Sequence, residues 1–127
     1  MLRSSRVFLA CAAPMGAAGV IFAAMATHLP GGGSLSTAAL FLLMHACALL
    51  AISALLPHLE GGRRAMIVAG GLLVAGTLLF AGDLVVRQLA GVKLLWGTAP
   101  FGGGAMIVGW LIAGIPVLLD RRNKRGV

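Results

Sequence analysis

The sequence predicts an all-α integral membrane protein, a bundle of four antiparallel transmembrane helices with both termini in the cytoplasm. Three observations carry that expectation. First, 60% of the 127 residues are hydrophobic and only 10% are charged, whereas a soluble domain carries about 25% charged residues. Ten basic and three acidic side chains cannot cover a water-soluble globule of this size. Second, the apolar residues fall into four runs, each near the roughly 20 residues a helix needs to cross the hydrocarbon core. Third, the basic residues collect at the chain ends and in alternate connections. The same composition excludes a disordered chain, which would be polar and charge-rich. Two cysteines are too few for a disulfide scaffold. One domain, 1–127, is expected.

The first run spans about 7–28 and follows Arg3 and Arg6. It also fits a secretory signal, with Ala24-Met25-Ala26 as cleavage site, which would leave three spans. The stretch is longer than a usual signal core, so it is read as a span. Leu9-Ala10-Cys11 follows too few apolar residues for a lipoprotein signal. The second run spans about 37–57, the third 65–89 and the fourth 100–119, before a basic tail at 120–127. The connections 29–36, 58–64 and 90–99 are short, so consecutive helices are antiparallel neighbours. The runs are too long and uninterrupted for barrel strands. Pro14 and Pro116 lie inside spans and are expected to bend them. Pro100 suits a helix start.

With four spans, the N-terminus, the second connection and the C-terminus share a side. That side holds eight Lys and Arg residues: Arg3, Arg6, Arg63, Arg64, Arg121, Arg122, Lys124 and Arg125. The opposite side holds Lys93, with Arg87 near the end of the third span. The positive-inside rule then places both termini in the cytoplasm and the chain in the inner (plasma) membrane, with Trp96 at the outer interface. This distribution accounts for the net charge of +7 without nucleic acid, whose binders gather basic residues on one face.

Bundles in lipid are held by close backbone approach and interhelical polar contacts. Ala12, Gly16, Gly19, Ala23 and Ala26 form a narrow seam on the first span. Gly71, Ala75 and Gly82 are read as a similar seam on the third. Gly104, Gly109 and Gly114, five residues apart, do not stay on one face of the fourth.

Ionisable groups within the membrane are costly and mark either paired structural contacts or sites. His45 and Asp83 are expected at similar depth, roughly 9–12 Å below the outer boundary by the rise of about 1.5 Å per residue. Arg87 follows Asp83 by four residues on the same helix face, and His28 ends the first span on that side. His28, His45, Asp83 and Arg87 therefore form a candidate outer polar cluster. In one reading Asp83 accepts from Arg87 and His45 and the cluster fixes helix register. In the other it lines a cavity for a proton, cation or small ligand. Two histidines and an aspartate fall short of a metal set, and no haem motif supports ligation by His28 and His45. No metal or cofactor is expected. Cys11 and Cys47 read as buried free thiols, and His58 and Glu60 as solvated loop residues. No phosphate loop, nucleophile elbow or zinc motif is present, so an enzyme is not expected.

Four segments resemble, in order, the domain-of-unknown-function 423 family of transmembrane protein 256-like small membrane proteins. Gly19 through His28 is similar to its glycine- and alanine-rich stretch ending in Ala-His-Gly. Phe41-Leu42-Leu43-Met44-His45-Ala46 resembles Tyr-x-x-x-His-Ala, and Gly76-Thr77-Leu78-Leu79-Phe80-Ala81-Gly82-Asp83 resembles Gly-x-x-x-Phe-Ser-Gly-Ser. Thr98-Ala99-Pro100-Phe101-Gly102-Gly103 with Gly109-Trp110 resembles Thr-Pro-hydrophobic-Gly-Gly and a later Gly-Trp. Thr27, Leu29, the extra residue in Thr98-Ala99-Pro100, and Asp83 in place of Ser depart from the pattern. The resemblance implies a four-span membrane protein without an established activity. It singles out His28, His45, Pro100, Gly102, Gly103 and Trp110 as pattern positions. Trp110 falls mid-span, where its indole N–H needs an interior acceptor.

Three functions are consistent with these features. The first is a structural or accessory membrane protein, working in a homo-oligomer or larger complex. The second is a binder or transporter of a small ligand, proton or cation through His45 and Asp83. The third is an oligomeric exporter, against which Asp83 lies away from the midplane and beside Arg87.

Overall fold

The computed structural model describes residues 1–124, without the side chains of Leu95 and of residues 120–124. Helix α1 is Arg3–His28, α2 Gly33–Leu55, α3 Arg63–Ala90, α4 Ala99–Ala113 and α5 Ile115–Lys124. One-turn 3-10 segments at Leu56–His58 and Leu94–Trp96 complete the order. No strand occurs among the described residues. Four helical stretches are long and apolar enough to span a membrane: Arg3–His28, Gly33–His58, Arg63–Ala90 and Ala99–Leu119. The expected basic tail begins inside α5; its side chains, and Arg125 altogether, lie outside the described residues.

The spans agree with the hydropathy runs, with two corrections. Helix α2 begins at Gly33 rather than near 37. Ser36 N–H donates to the Gly32 carbonyl, and Thr37 Oγ1 donates to the Gly33 carbonyl at 3.1 Å. The turn before it needs glycine. Gly31 has φ +71°, and a Cβ at Gly32 would lie 2.4 Å from the Ala26 carbonyl oxygen. The fourth span is not one helix, because it breaks at Gly114. Pro116 has no N–H to offer four residues back, so the chain closes a tighter turn there. Gly114 N–H donates to Leu111 and Val117 N–H to Gly114. Pro14, in contrast, leaves α1 a single helix.

The helices pack as two close hairpins, α1 on α2 and α3 on α4, joined along α2 and α3. The backbones of α1 and α3 scarcely approach each other, and Phe8 reaches across to α3. The seam read on α1 is real: Ala12 and Gly19 are buried, and Cβ positions at Gly16 and Gly19 would meet Ala46 and Leu43 of α2. The seam read on α3 is not. Gly71 has nothing within 4 Å of a Cβ position, and Ala75 is exposed. The packed glycines are their neighbours. Gly70 receives the Phe8 ring, and Gly76 lies against the backbone of Gly102 and Met106. On α4 the working seam is Gly102, Met106 and Gly109, all buried, spaced by four and three. In a helix that is apolar on every side, small residues occur on several faces. Their spacing alone does not choose the packed one.

At one end of the bundle, Ser53 Oγ donates to the Ser5 carbonyl at 2.8 Å. Gly62, with φ +74°, approaches Pro116 there. The N-terminus, the α2–α3 connection and the α4–α5 junction thus gather at the end that carries Arg3, Arg6, Arg63 and Arg64.

Candidate functional site

The four residues of the expected outer cluster divide into two separate arrangements and one bystander. His28 ends α1 exposed. His45 is 1% exposed on α2. Its Nδ1 lies 2.8 Å from the Phe41 carbonyl, which can only accept, so Nδ1 carries the proton. Nε2 then presents a lone pair, and Trp110 Nε1–H donates to it at 3.2 Å. The backbones of α2 and α4 do not pack on each other; this long Trp–His bridge connects them. Phe41 stacks near the imidazole, with ring centroids 5.9 Å apart and planes at 10°, and lies 4.6 Å from the Phe80 ring. Both ring nitrogens of His45 are engaged, and the acceptor Trp110 needs is found.

Asp83 is 0% exposed on α3, and its partners lie towards the α3–α4 connection. Arg87 Nη2 donates to Oδ2 at 2.7 Å, as the i,i+4 spacing suggested. The other two donors are backbone groups: Leu94 N–H to Oδ1 at 2.9 Å and Ala99 N–H to Oδ2 at 3.4 Å. The expectation that Asp83 also accepts from His45 is corrected, because each group is committed elsewhere. Asp83 ties a loop to its own helix. Thr98 adds a second tie, its Oγ1 donating to the Leu79 carbonyl at 3.1 Å.

That loop is sharply bent. Gly91 and Gly97 take φ of +70° and +97°, and Trp96 takes φ +68°, unusual for a bulky residue. The Trp96 side chain is fully exposed, as an interfacial aromatic would be. Among the pattern positions, Gly102 is buried against α3 whereas Gly103 has nothing within 4 Å of a Cβ position. Pro100 lies in the first turn of α4, as expected of a helix start. Among the described residues, no three His, Cys, Asp or Glu side chains form a metal-binding group. Cys11 and Cys47 are free, though Cys47 is exposed on the bundle surface rather than buried.

Sequence reading missed the loop amides on Asp83 because backbone donors leave no residue signature. The glycines at 91 and 97 were the available hint of a tight connection. It missed the pairing of His45 with Trp110 because hydropathy gives depth and not the direction a side chain takes around the helix.

Four apolar helical stretches of spanning length, with Asp83 and His45 hydrogen-bonded inside the bundle, define a multi-pass helical membrane protein. The family described as "Protein of unknown function (DUF423)" matches residues 15–103, from the middle of α1 into the first turn of α4. The chain belongs to that family. No curated protein and no solved structure matches it.

Proposed function

We infer that this chain is a structural or accessory protein of the inner (plasma) membrane, with both termini in the cytoplasm. It works by packing on itself or within a larger membrane assembly, not by catalysing a reaction. The observation that supports this most is the bridge from Trp110 to His45. Among the described residues, His45 is the one buried histidine, a side chain of a type that commonly relays protons or binds ligands. Both its nitrogens are engaged, Nδ1 with the Phe41 carbonyl of its own helix and Nε2 with Trp110 of α4. A small ligand, proton or cation at His45 would have to break that bridge, and one at Asp83 would have to release the α3–α4 loop.

Native mass spectrometry of the intact protein from mild detergent, paired with an unfolding titration, tests this reading. His45→Ala is expected to cost about 2 kcal/mol, from the cavity and the stranded indole N–H. No non-lipid mass should disappear. Trp110→Phe should cost less, and the two should couple by about 0.6–1 kcal/mol, the size of an interhelical hydrogen bond in lipid. A retained non-lipid mass that vanishes in His45→Ala would overturn this reading in favour of ligand or ion handling through the His45 and Asp83 groups.

The sidedness has its own test. In a chain with Cys11 and Cys47 replaced by Ala, a membrane-impermeant maleimide should label Trp96→Cys in intact cells. Glu60→Cys should react only after permeabilisation. The reverse pattern would put both termini outside.

A further inference from the structure

The weak contact between α1 and α3 leaves a groove along the lipid-facing side of the bundle. Its middle is a hollow of about 380 Å³ lined by Cys11, Pro14 and Ala18 on one wall and Val74 and Leu78 on the other, with Leu42 of α2 as its floor. A second hollow of about 210 Å³ continues it towards Phe22 and Val86. A third, of about 300 Å³, lies about one helical turn further towards the helix starts, between Arg3 and Gly71 and beside Phe8. The walls are apolar except at the Arg3 end, where Ser4 also lines them, and Arg3 is the one ionised side chain among the lining residues. Arg64 lies one turn before Ile67, which lines the same end, and is also exposed.

We propose that this groove holds an anionic phospholipid, its phosphate between Arg3 and Arg64 and an acyl chain lying along α1 and α3 as far as Pro14. The dimensions fit one leaflet. From Arg3 to Pro14 the helix rises roughly 16 Å, and half a hydrocarbon core is about 15 Å. Charge decides between this occupant and a second copy of the chain. A second copy would bring ten basic residues against three acidic ones, so the basic end repels its like. A phosphate is attracted there, at about five-fold in affinity for each arginine near an anionic headgroup. Gly71 supplies the room, because nothing within the chain lies within 4 Å of its missing Cβ.

The test is native mass spectrometry of the full chain titrated with phosphatidylglycerol or phosphatidylcholine of identical acyl chains. One phosphatidylglycerol per chain should be retained, at least about ten-fold more tightly than phosphatidylcholine. The Arg3→Gln/Arg64→Gln pair should erase that headgroup preference. Gly71→Leu should weaken retention of both lipids without lowering the melting temperature, since the side chain enters open space and a helical glycine is removed. Equal retention of the two lipids, a preference that survives in Arg3→Gln/Arg64→Gln, or a lipid-free dimer would each overturn the proposal. None of these readouts involves His45, so the outcome is separate from that of the accessory reading.

Discussion

Gly102→Ala is expected to destabilise the protein by about 3 kcal/mol, while Gly103→Ala, one residue further on, leaves it unchanged or slightly more stable. A Cβ at Gly102 would lie 2.5 Å from the Gly76 carbonyl oxygen and 2.6 Å from the Phe80 nitrogen. Both are backbone atoms of a helix interior, so no side chain can turn aside; α3 and α4 would have to separate. Separation also loosens Met106 from the buried Thr77 hydroxyl, which donates to its sulfur at 3.4 Å. In lipid, close backbone approach of this kind is the main source of helix association. At Gly103 a Cβ meets nothing within 4 Å, and replacing a helical glycine by alanine gains about 0.5–1 kcal/mol through the backbone. Unfolding titrations of both variants in mixed micelles measure the difference directly. A Gly102→Ala chain within 0.5 kcal/mol of the wild type would show that the crossing relaxes freely. A large loss at Gly103 instead would mean that its open face is covered by another helix in the membrane.

That pair also shows how far the sequence can be read. The spans and their number follow from hydropathy, because a bilayer imposes one length on every crossing. The α1 seam is legible because both glycines of that helix, Gly16 and Gly19, fall on the one stripe that runs from Ala12 to Ala26. On α3 the choice between Gly70 and Gly71, or between Ala75 and Gly76, turns on about 100° of rotation, and every face of that helix is apolar. The family resemblance did point at Gly102, whose environment is the tightest on α4. It also pointed at His45 and Trp110 without joining them. Their bridge crosses between helices whose backbones stay apart, so only the length of the indole and imidazole side chains makes it. The break at Gly114 was half visible: Pro116 predicted a disturbance, and the glycine two residues earlier is where it falls.

Asp83→Ala should release the α3–α4 connection while leaving the four spans in place. The carboxylate receives the Leu94 and Ala99 amides and the Arg87 guanidinium, and all three lose their acceptor together. Arg87 loses least. Its side chain is 41% exposed, so water or headgroups can replace the carboxylate. The loop amides carry the effect, since a charged acceptor makes the stronger hydrogen bond. Hydrogen exchange at Leu94 and Ala99, and protease cleavage between Gly91 and Gly97, should each rise at least about tenfold, because both follow the population of the opened loop. Arg87→Gln should change them far less. Asp83→Ser introduces the residue that the family resemblance implies here, with one oxygen in place of two and a shorter reach. It should fall between wild type and alanine, and Thr98→Ala on top of it should open the loop further by removing the tie to Leu79. Two other outcomes would change the assignment. If Arg87→Gln opens the loop as much as Asp83→Ala, the ion pair and not the amides holds the connection. If Asp83→Ala leaves Leu94 protected, the left-handed turns at Gly91, Trp96 and Gly97 hold their shape unaided, and the buried charge serves something other than the loop.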